Sequence, residues 1–246
     1  MVNTAMIFAA GLGTRLAPLT DNKPKALVEL EGKSLLQRCV ERLSKAGITR
    51  IVINIHHFPE LMQQAVDQIS ITGVELLVSD ESNELLDTGG GLLKAAQYLR
   101  ESGPFLVHNV DVISDINLED MLQQHLQSKA LATLAVSARQ TTRYFLFEDN
   151  RLCGWRNTQT GSEINCYPFG ASARSLAFSG IHMVDPGIFD LMDERGRFSI
   201  NQVYLRLAAK YPIVAFEHDP RYWADLGTTD KLAQARQLLT LFPDKF

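Results

Sequence analysis

The feature that most constrains the fold is a repeated alternation of short apolar runs with amphipathic helical segments over the first half of the chain. Residues 5–10 form an apolar run that stops at Gly11, as a buried strand does. Residues 34–46 follow helical spacing, with Leu35, Leu36, Cys39, Val40, Leu43 and Ala46 on one face. Ser34 and Gln37 suit a capping box at its start, and Gly47 suits its end. A strand over 50–55 follows, then a helix from Pro59 to Ile69 and a strand over 73–79. A third helix is expected over 91–100 after a glycine-rich approach. A fourth strand over 104–110 ends at Asp111, and a helix capped by Asn117 runs to about Ser128. This rhythm predicts an α/β fold with a doubly wound, mostly parallel, Rossmann-like sheet. In such sheets ligands bind beyond the carboxyl ends of the strands. Gly11, the segment 80–91 and Asp111 should therefore meet on one rim.

The second half changes style. Strands are expected over 131–138, 144–148, 152–156, 177–184 and 212–217, with a hairpin turn at Asp149-Asn150. Residues 158–175 read as a loop. Asp185-Pro186 starts one helix, and Ser199 with Gln202 opens another. Residues 223–226 are short and extended, and a last helix runs from about 229 to 241. With no linker or repeat, this half reads as a small β-rich lid or substrate-facing wall. The expectation is one domain, 1–246, with residues 1–130 and 131–246 as its two halves.

Bulk properties exclude several classes. A net charge of -4 gives no overall electrostatic footprint for nucleic acid. Three cysteines, Cys39, Cys153 and Cys166, are odd in number and lack a Cys-x-x-Cys, so neither a disulfide framework nor a zinc site is indicated. The N-terminus lacks the pattern of a signal peptide, and no apolar run is long enough to span a bilayer. The expected location is the cytoplasm.

Four segments carry chemistry. The first is Ala9-Ala10-Gly11-Leu12-Gly13-Thr14-Arg15, continuing to Pro18-Leu19-Thr20 and Lys23-Pro24-Lys25. Gly11 and Gly13 let backbone N–H groups approach a polyphosphate. Thr14 adds a hydroxyl, Arg15 a planar fork and Lys25 a mobile charge. Leu16 stands where a dinucleotide fingerprint needs its third glycine, and no P-loop Gly-Lys-Ser/Thr is present. The second is Asp87-Thr88-Gly89-Gly90-Gly91, read as a close approach of backbone to ligand. The third ends a strand at Asn109-Val110-Asp111, where a carboxylate can hold a hard metal. The fourth is Trp223-Ala224-Asp225-Leu226-Gly227-Thr228. His56 and His57 are adjacent in an extended segment and point apart, which favours a structural role over a metal pair.

These segments resemble the Gly-x-Gly-Thr-Arg-x-x-Pro-Leu-Thr, Pro-Lys and Trp-x-Asp-x-Gly-Thr motifs of the sugar-nucleotide pyrophosphorylases, a nucleotidyltransferase family. Ala26 and Val110 depart from the usual pattern, which has a second proline after the lysine and a glycine before the aspartate. Trp155-Arg156-Asn157 occupies the place of the family's Glu-Lys-Pro, and Phe178-Ser179-Gly180-Ile181 resembles its sugar-facing strand.

The resemblance implies transfer of a nucleotidyl group from a nucleoside triphosphate to a sugar 1-phosphate, with release of pyrophosphate. It implies Arg15, Lys25 and Asp111 as catalytic residues. Ala10, Gly11, Gly13, Thr14, Arg15, Thr88, Gly89 and Gly90 would hold the nucleotide, and Asn109, Arg156 and Gly180 the sugar. Asp111 and Asp225 would hold Mg²⁺. The Thr-Gly-Gly-Gly form is similar to a branch that includes uridylyltransferases of N-acetylmuramic acid 1-phosphate and guanylyltransferases of mannose or heptose 1-phosphate. UTP with N-acetylmuramic acid 1-phosphate is the first expectation, and GTP with mannose or heptose 1-phosphate the second. The alternative of another class is a non-catalytic regulatory subunit that binds nucleotide sugars. It would be marked by loss of Arg15, Lys25 or either aspartate, and all four are present.

Overall fold

Chain order in this computed structural model, which describes residues 2–242, begins with the strand Thr4–Phe8 (β1). The short strands Glu29–Leu30 (β2) and Lys33–Ser34 (β3) pair with each other ahead of the helix Leu35–Lys45 (α1). Then come Arg50–Ile55 (β4), Pro59–Gln68 (α2), Glu75–Asp80 (β5), Asp87–Lys94 (α3) and Ala96–Leu99 (α4). Phe105–Asn109 (β6), Val112–Ser114 (β7) and Leu118–Ser128 (α5) complete the first half. The second half holds Ala132–Ser137 (β8), Arg143–Glu148 (β9), Arg151–Asn157 (β10), Glu163–Asn165 (β11) and Arg174–Val184 (β12). Ile200–Leu207 (α6), Ile213–Glu217 (β13), Trp223–Asp225 (β14) and Thr229–Leu241 (α7) follow.

Ten strands form one sheet in the order β11-β10-β13-β8-β12-β6-β1-β4-β5, with β9 paired to both β10 and β12. The side built from β6, β1, β4 and β5 is parallel, as the strand-helix rhythm predicts. The sheet as a whole is mixed, which corrects the mostly parallel expectation. Among the described residues of the second half, only β13 against β8 is parallel. The cause is local: Asp149 and Asn150 both adopt positive φ, 46° and 61°. That two-residue turn joins β9 to β10 as an antiparallel hairpin and removes any crossover helix. The long strand β12 then enters antiparallel to both β6 and β8.

Helices cover both faces. Ala5 and Ile7 of β1 face a core shared with Leu36, Val40, Met62 and Leu232. Met6 faces the opposite core with Leu92, Leu99 and Val203. This alternation follows from the two-residue period of a strand. Each fully buried leucine or isoleucine here contributes about 1.5–3 kcal/mol.

Other expectations need adjustment. Ser34 Oγ accepts from the Gln37 amide at 3.1 Å, but the Gln37 side chain turns to Glu41 rather than back to the cap. The segment 158–175 contains β11 and the start of β12. Asp185-Pro186 opens a short 3-10 turn, Pro186–Asp190, not an α-helix.

The third helix begins at Asp87, so Gly89, Gly90 and Gly91 lie inside it rather than ahead of it. Glycine within a helix costs about 1 kcal/mol relative to alanine, so close packing must require it. A Cβ on Gly89 would stand 2.4 Å from the Phe198 ring, and one on Gly90 2.4 Å from the Gly196 carbonyl. One on Gly91 would stand 2.6 Å from Glu81 Oε1. Among the described residues, no helix is long and apolar enough to cross a membrane.

Candidate active site

The carboxyl ends of β1, β4, β5 and β6 open onto a cleft of about 290 Å³. Ala10, Gly11, Lys25, Thr88, Asn109 and Asp111 line it together with Arg197. A larger cavity of about 480 Å³, between α1 and residues 112–119, touches none of the glycine-rich segment. The smaller cleft is the candidate site because the glycine-rich segment, Lys25 and Asp111 face it.

A buried latch fixes the end of β1. Asn54 Nδ2 donates to Glu81 Oε1 at 2.7 Å, while Asn54 Oδ1 accepts from the Ala9 amide at 2.7 Å. Glu81 Oε2 accepts from the Leu86 amide at 3.2 Å. Burial pushes the Glu81 carboxyl above the usual carboxylate range, against the opposing pull of Asn54 and Leu86. Neither Asn54 nor Glu81 was singled out in the sequence, since a polar residue within an apolar strand gives no sign of its partner.

The chain then turns through Gly11 and Gly13. Space beside Gly11 is open, with nothing within 4 Å of an added Cβ, so a side chain there would stand in the cleft. Gly13 is left-handed at φ 67°, and an added Cβ would come within 2.8 Å of Lys25 Cβ. The glycine therefore lets the Lys25 stem lie against the loop. Thr20 Oγ1 donates to the Gly13 carbonyl at 3.0 Å and closes the turn. Thr14–Leu16 forms a 3-10 turn from which Arg15 extends to Gly227.

Strand β7, which the sequence reading missed, assembles the carboxylates. It pairs antiparallel with β14, placing Asp225 opposite Val112. The Leu226 amide donates to the Asp111 carbonyl at 2.7 Å. Asp111 is ion-paired with Lys25, and Asp225 with Lys231. Asp225 Oδ1 also accepts from the Gly227 amide at 3.2 Å. Two carboxylates on one rim, each drawing a cation, fit a hard divalent ion. Among the described residues no group of three or more His, Cys, Asp or Glu could hold a metal. An ion here would complete its shell with phosphate oxygens and water, which suits Mg²⁺.

The other expected residues divide. Thr88 faces the cleft, and its Oγ1 accepts from the Ile200 amide at 3.0 Å. Gly89 and Gly90 are buried against Phe198 and Gly196, so protein packing rather than ligand approach explains both. Gly180 is left-handed at φ 75°, and an added Cβ would stand 2.7 Å from Asn109 Nδ2; these two are neighbours. Arg156 is not brought to them: it pairs with Glu163 across β10 and β11. A different arginine lies near Asp225. Arg139 stacks 4.0 Å from the Trp223 ring centroid and donates to the Phe178 carbonyl at 2.6 Å.

Among the described residues, no histidine lines the cleft. Cys39 Sγ lies 3.4 Å from His108 Nδ1, but burial pushes the thiol up to about 12 and pulls the imidazole down to about 3. Both groups stay neutral, the opposite of an activated thiolate pair. His56 Nδ1 bonds the Glu81 carbonyl at 2.7 Å, and His57 packs against Phe58, in line with structural roles.

The chain is similar to known proteins along most of its length. The sequence pattern of the nucleotidyl transferase family matches residues 4–240. N-acetylmuramate alpha-1-phosphate uridylyltransferase of Neisseria meningitidis is 30% identical over 240 residues, covering 95% of this chain and 97% of that one. The enzyme of the same name from Caulobacter vibrioides is 42% identical over 111 residues, covering 44% of this chain and 46% of that one. Mannose-1-phosphate guanyltransferase of Yarrowia lipolytica is 30% identical over 228 residues, 90% of this chain but only 60% of its own length. In fold, UDP-glucose pyrophosphorylase from Acinetobacter baumannii superposes with a TM-score of 0.77 at 19% identity, over 98% of this chain and 94% of that one.

Proposed function

The chain belongs to the nucleotidyl transferase family, and on that premise we propose that it joins a sugar 1-phosphate to a nucleoside triphosphate and releases pyrophosphate. The observation that carries this reading is the convergence of Lys25, Asp111, Asp225 and Arg15 around the glycine-rich turn. Those four residues also argue against a non-catalytic binding subunit, which has no need of them all.

An oxygen of the sugar phosphate attacks the α-phosphorus, the α–β bridging P–O bond breaks, and its electron pair leaves with pyrophosphate. The nucleophile ionises with a second pKa of about 6, so it needs no general base. The absence of a histidine or cysteine from the cleft lining, among the described residues, is consistent with that. The task left to the protein is to align two polyanions and offset their repulsion, about 1 kcal/mol per charge pair at 4 Å even in water. Arg15 steadies the departing phosphates and Lys25 the α-phosphate. Mg²⁺ on Asp111 and Asp225 would supply further charge neutralisation. Asn109 and Gly180 form part of the sugar wall.

For substrates, we favour UTP with N-acetylmuramic acid 1-phosphate, supported by the likeness to the Neisseria enzyme along nearly the whole of both chains. GTP with mannose 1-phosphate is the second reading, supported by the Yarrowia relative. A matrix of the four ribonucleoside triphosphates against several sugar 1-phosphates, read by pyrophosphate release, separates them. Fastest release from UTP with the muramic sugar supports the first reading. A clear preference for GTP with mannose or heptose 1-phosphate replaces it with the second.

A further inference from the structure

The first turn of α7 carries a cation where the helix itself disfavours one. Thr228 caps α7, its Oγ1 accepting from the Lys231 amide at 3.4 Å. Free N–H groups and the macrodipole give this end partial positive charge, which favours acidic side chains. Asp230 obeys that rule and Lys231 breaks it. What holds the Lys231 ammonium is Asp225, the carboxylate at the end of β14. The side chain is 43% exposed, so it is free to leave. Arg15 lies beside the same turn, with Nη2 3.0 Å from where a Gly227 Cβ would stand. Lys25 occupies Asp111 in the matching way. Each carboxylate assigned above to the metal thus has its own lysine. Lys25 comes with the glycine-rich segment, whereas Lys231 lies past the end of the Trp-x-Asp-x-Gly-Thr motif.

We propose that Lys231 is a second phosphate-binding residue, stored on Asp225 until the triphosphate and its divalent ion arrive. Asp225 would then hold the ion, and Lys231 would give the carboxylate up. The released ammonium moves beside Arg15 onto an oxygen of the phosphates that leave. No covalent bond changes; one cation replaces another on Asp225. The role rests on the metal reading given under Proposed function.

This role has a signature of opposite signs. Removing Lys231 frees Asp225, so a divalent ion alone binds more tightly. The same change removes a phosphate ligand, so the triphosphate binds more weakly. A lysine that only braced the helix would not move the two constants in opposite directions. The test compares the wild type with Lys231→Met, Lys231→Arg and Asp225→Asn. Mn²⁺ binding without nucleotide is followed by electron paramagnetic resonance. KM is measured for the triphosphate, for pyrophosphate in the reverse reaction and for the sugar 1-phosphate. Melting curves confirm folding.

In Lys231→Met, Mn²⁺ should bind about threefold more tightly, the scale of an exposed ion pair. KM for the triphosphate and for pyrophosphate should rise about 10-fold, the scale of one charge-assisted hydrogen bond. KM for the sugar 1-phosphate should stay within about twofold, since the lost contact is to the leaving phosphates. Lys231→Arg should restore most of the phosphate binding. A wild type that binds no Mn²⁺ overturns the metal reading and this role with it. A wild type whose Mn²⁺ site is lost in Asp225→Asn but unchanged or weakened in Lys231→Met overturns this role alone, as does an unchanged triphosphate KM.

Discussion

The Leu226 amide donates to the Asp111 carbonyl at 2.7 Å, and this single bond ties together two carboxylates that lie far apart in the chain. The pairing of β7 with β14 extends it, with Asp225 opposite Val112. The carboxylates are therefore held by backbone, not by each other. Asp111→Asn and Asp225→Asn should each reduce turnover at least about 100-fold, since the aspartates would hold the ion, and Lys25→Ala comparably, since Lys25 faces developing charge. Melting temperatures should stay near wild type. Normal pyrophosphate release by any of the three would remove that residue from the mechanism.

The glycines of α3 make a separate prediction about stability. Gly89→Ala pushes a methyl into the Phe198 ring at 2.4 Å and towards the Ile200 amide at 3.0 Å. Overpacking of this kind costs about 1–3 kcal/mol. Urea unfolding should show that loss. Gly89→Ala with undiminished stability would mean that the loop 196–200 does not pack on α3 as described.

Removing the latch beneath the phosphate loop should cost both stability and nucleotide binding. Asn54→Ala leaves the Ala9 amide and one Glu81 oxygen buried without partners. An unsatisfied buried group costs about 1–3 kcal/mol. With Ala9 released, KM for the triphosphate should rise more than KM for the sugar 1-phosphate. Equal changes in both would show that the latch does not act on the nucleotide side.

Acid should destabilise the fold through two buried histidines. Burial pulls His108 and His182 down to about 3, whereas an unfolded histidine titrates near 6.5. Between those values the unfolded chain takes up protons that the folded chain refuses. Their stability contribution is full above about 6.5 and is lost as pH falls towards 3, at about 1.4 kcal/mol per unit for each group. The urea midpoint should therefore be lower at pH 5.0 than at pH 7.5. His182→Gln should be less stable at both pH values, because Tyr204 loses its partner, but the pH difference should shrink. A wild-type midpoint that does not change with pH would contradict the assignment.

Strands β1 and β4 were legible because they are largely buried on both faces and read as apolar runs; the strand over 50–55 matches residue for residue. The Asp149-Asn150 turn was legible because those residues tolerate positive φ. Other features depend on partners that no local pattern reveals. Strand β7 is three residues long and exists because β14 lies beside it. Gly89 and Gly90 looked like a loop because their requirement is set by Phe198 and Gly196, more than a hundred positions away. Lys231 is held by Asp225, a partnership that no helical pattern around it reveals. Arg156 fitted a family position, but the structure pairs it with Glu163.

The central claim is that a sugar-phosphate oxygen attacks the α-phosphorus of a nucleoside triphosphate in this cleft. The direct measurement uses sugar 1-phosphate carrying ¹⁸O in its non-bridging phosphate oxygens, incubated with the preferred triphosphate and Mg²⁺, with both products analysed by mass spectrometry. All of the label should appear in the nucleotide sugar, including its bridging oxygen, and none in pyrophosphate. Label in pyrophosphate, or no nucleotide sugar from any pair of substrates, would contradict the account.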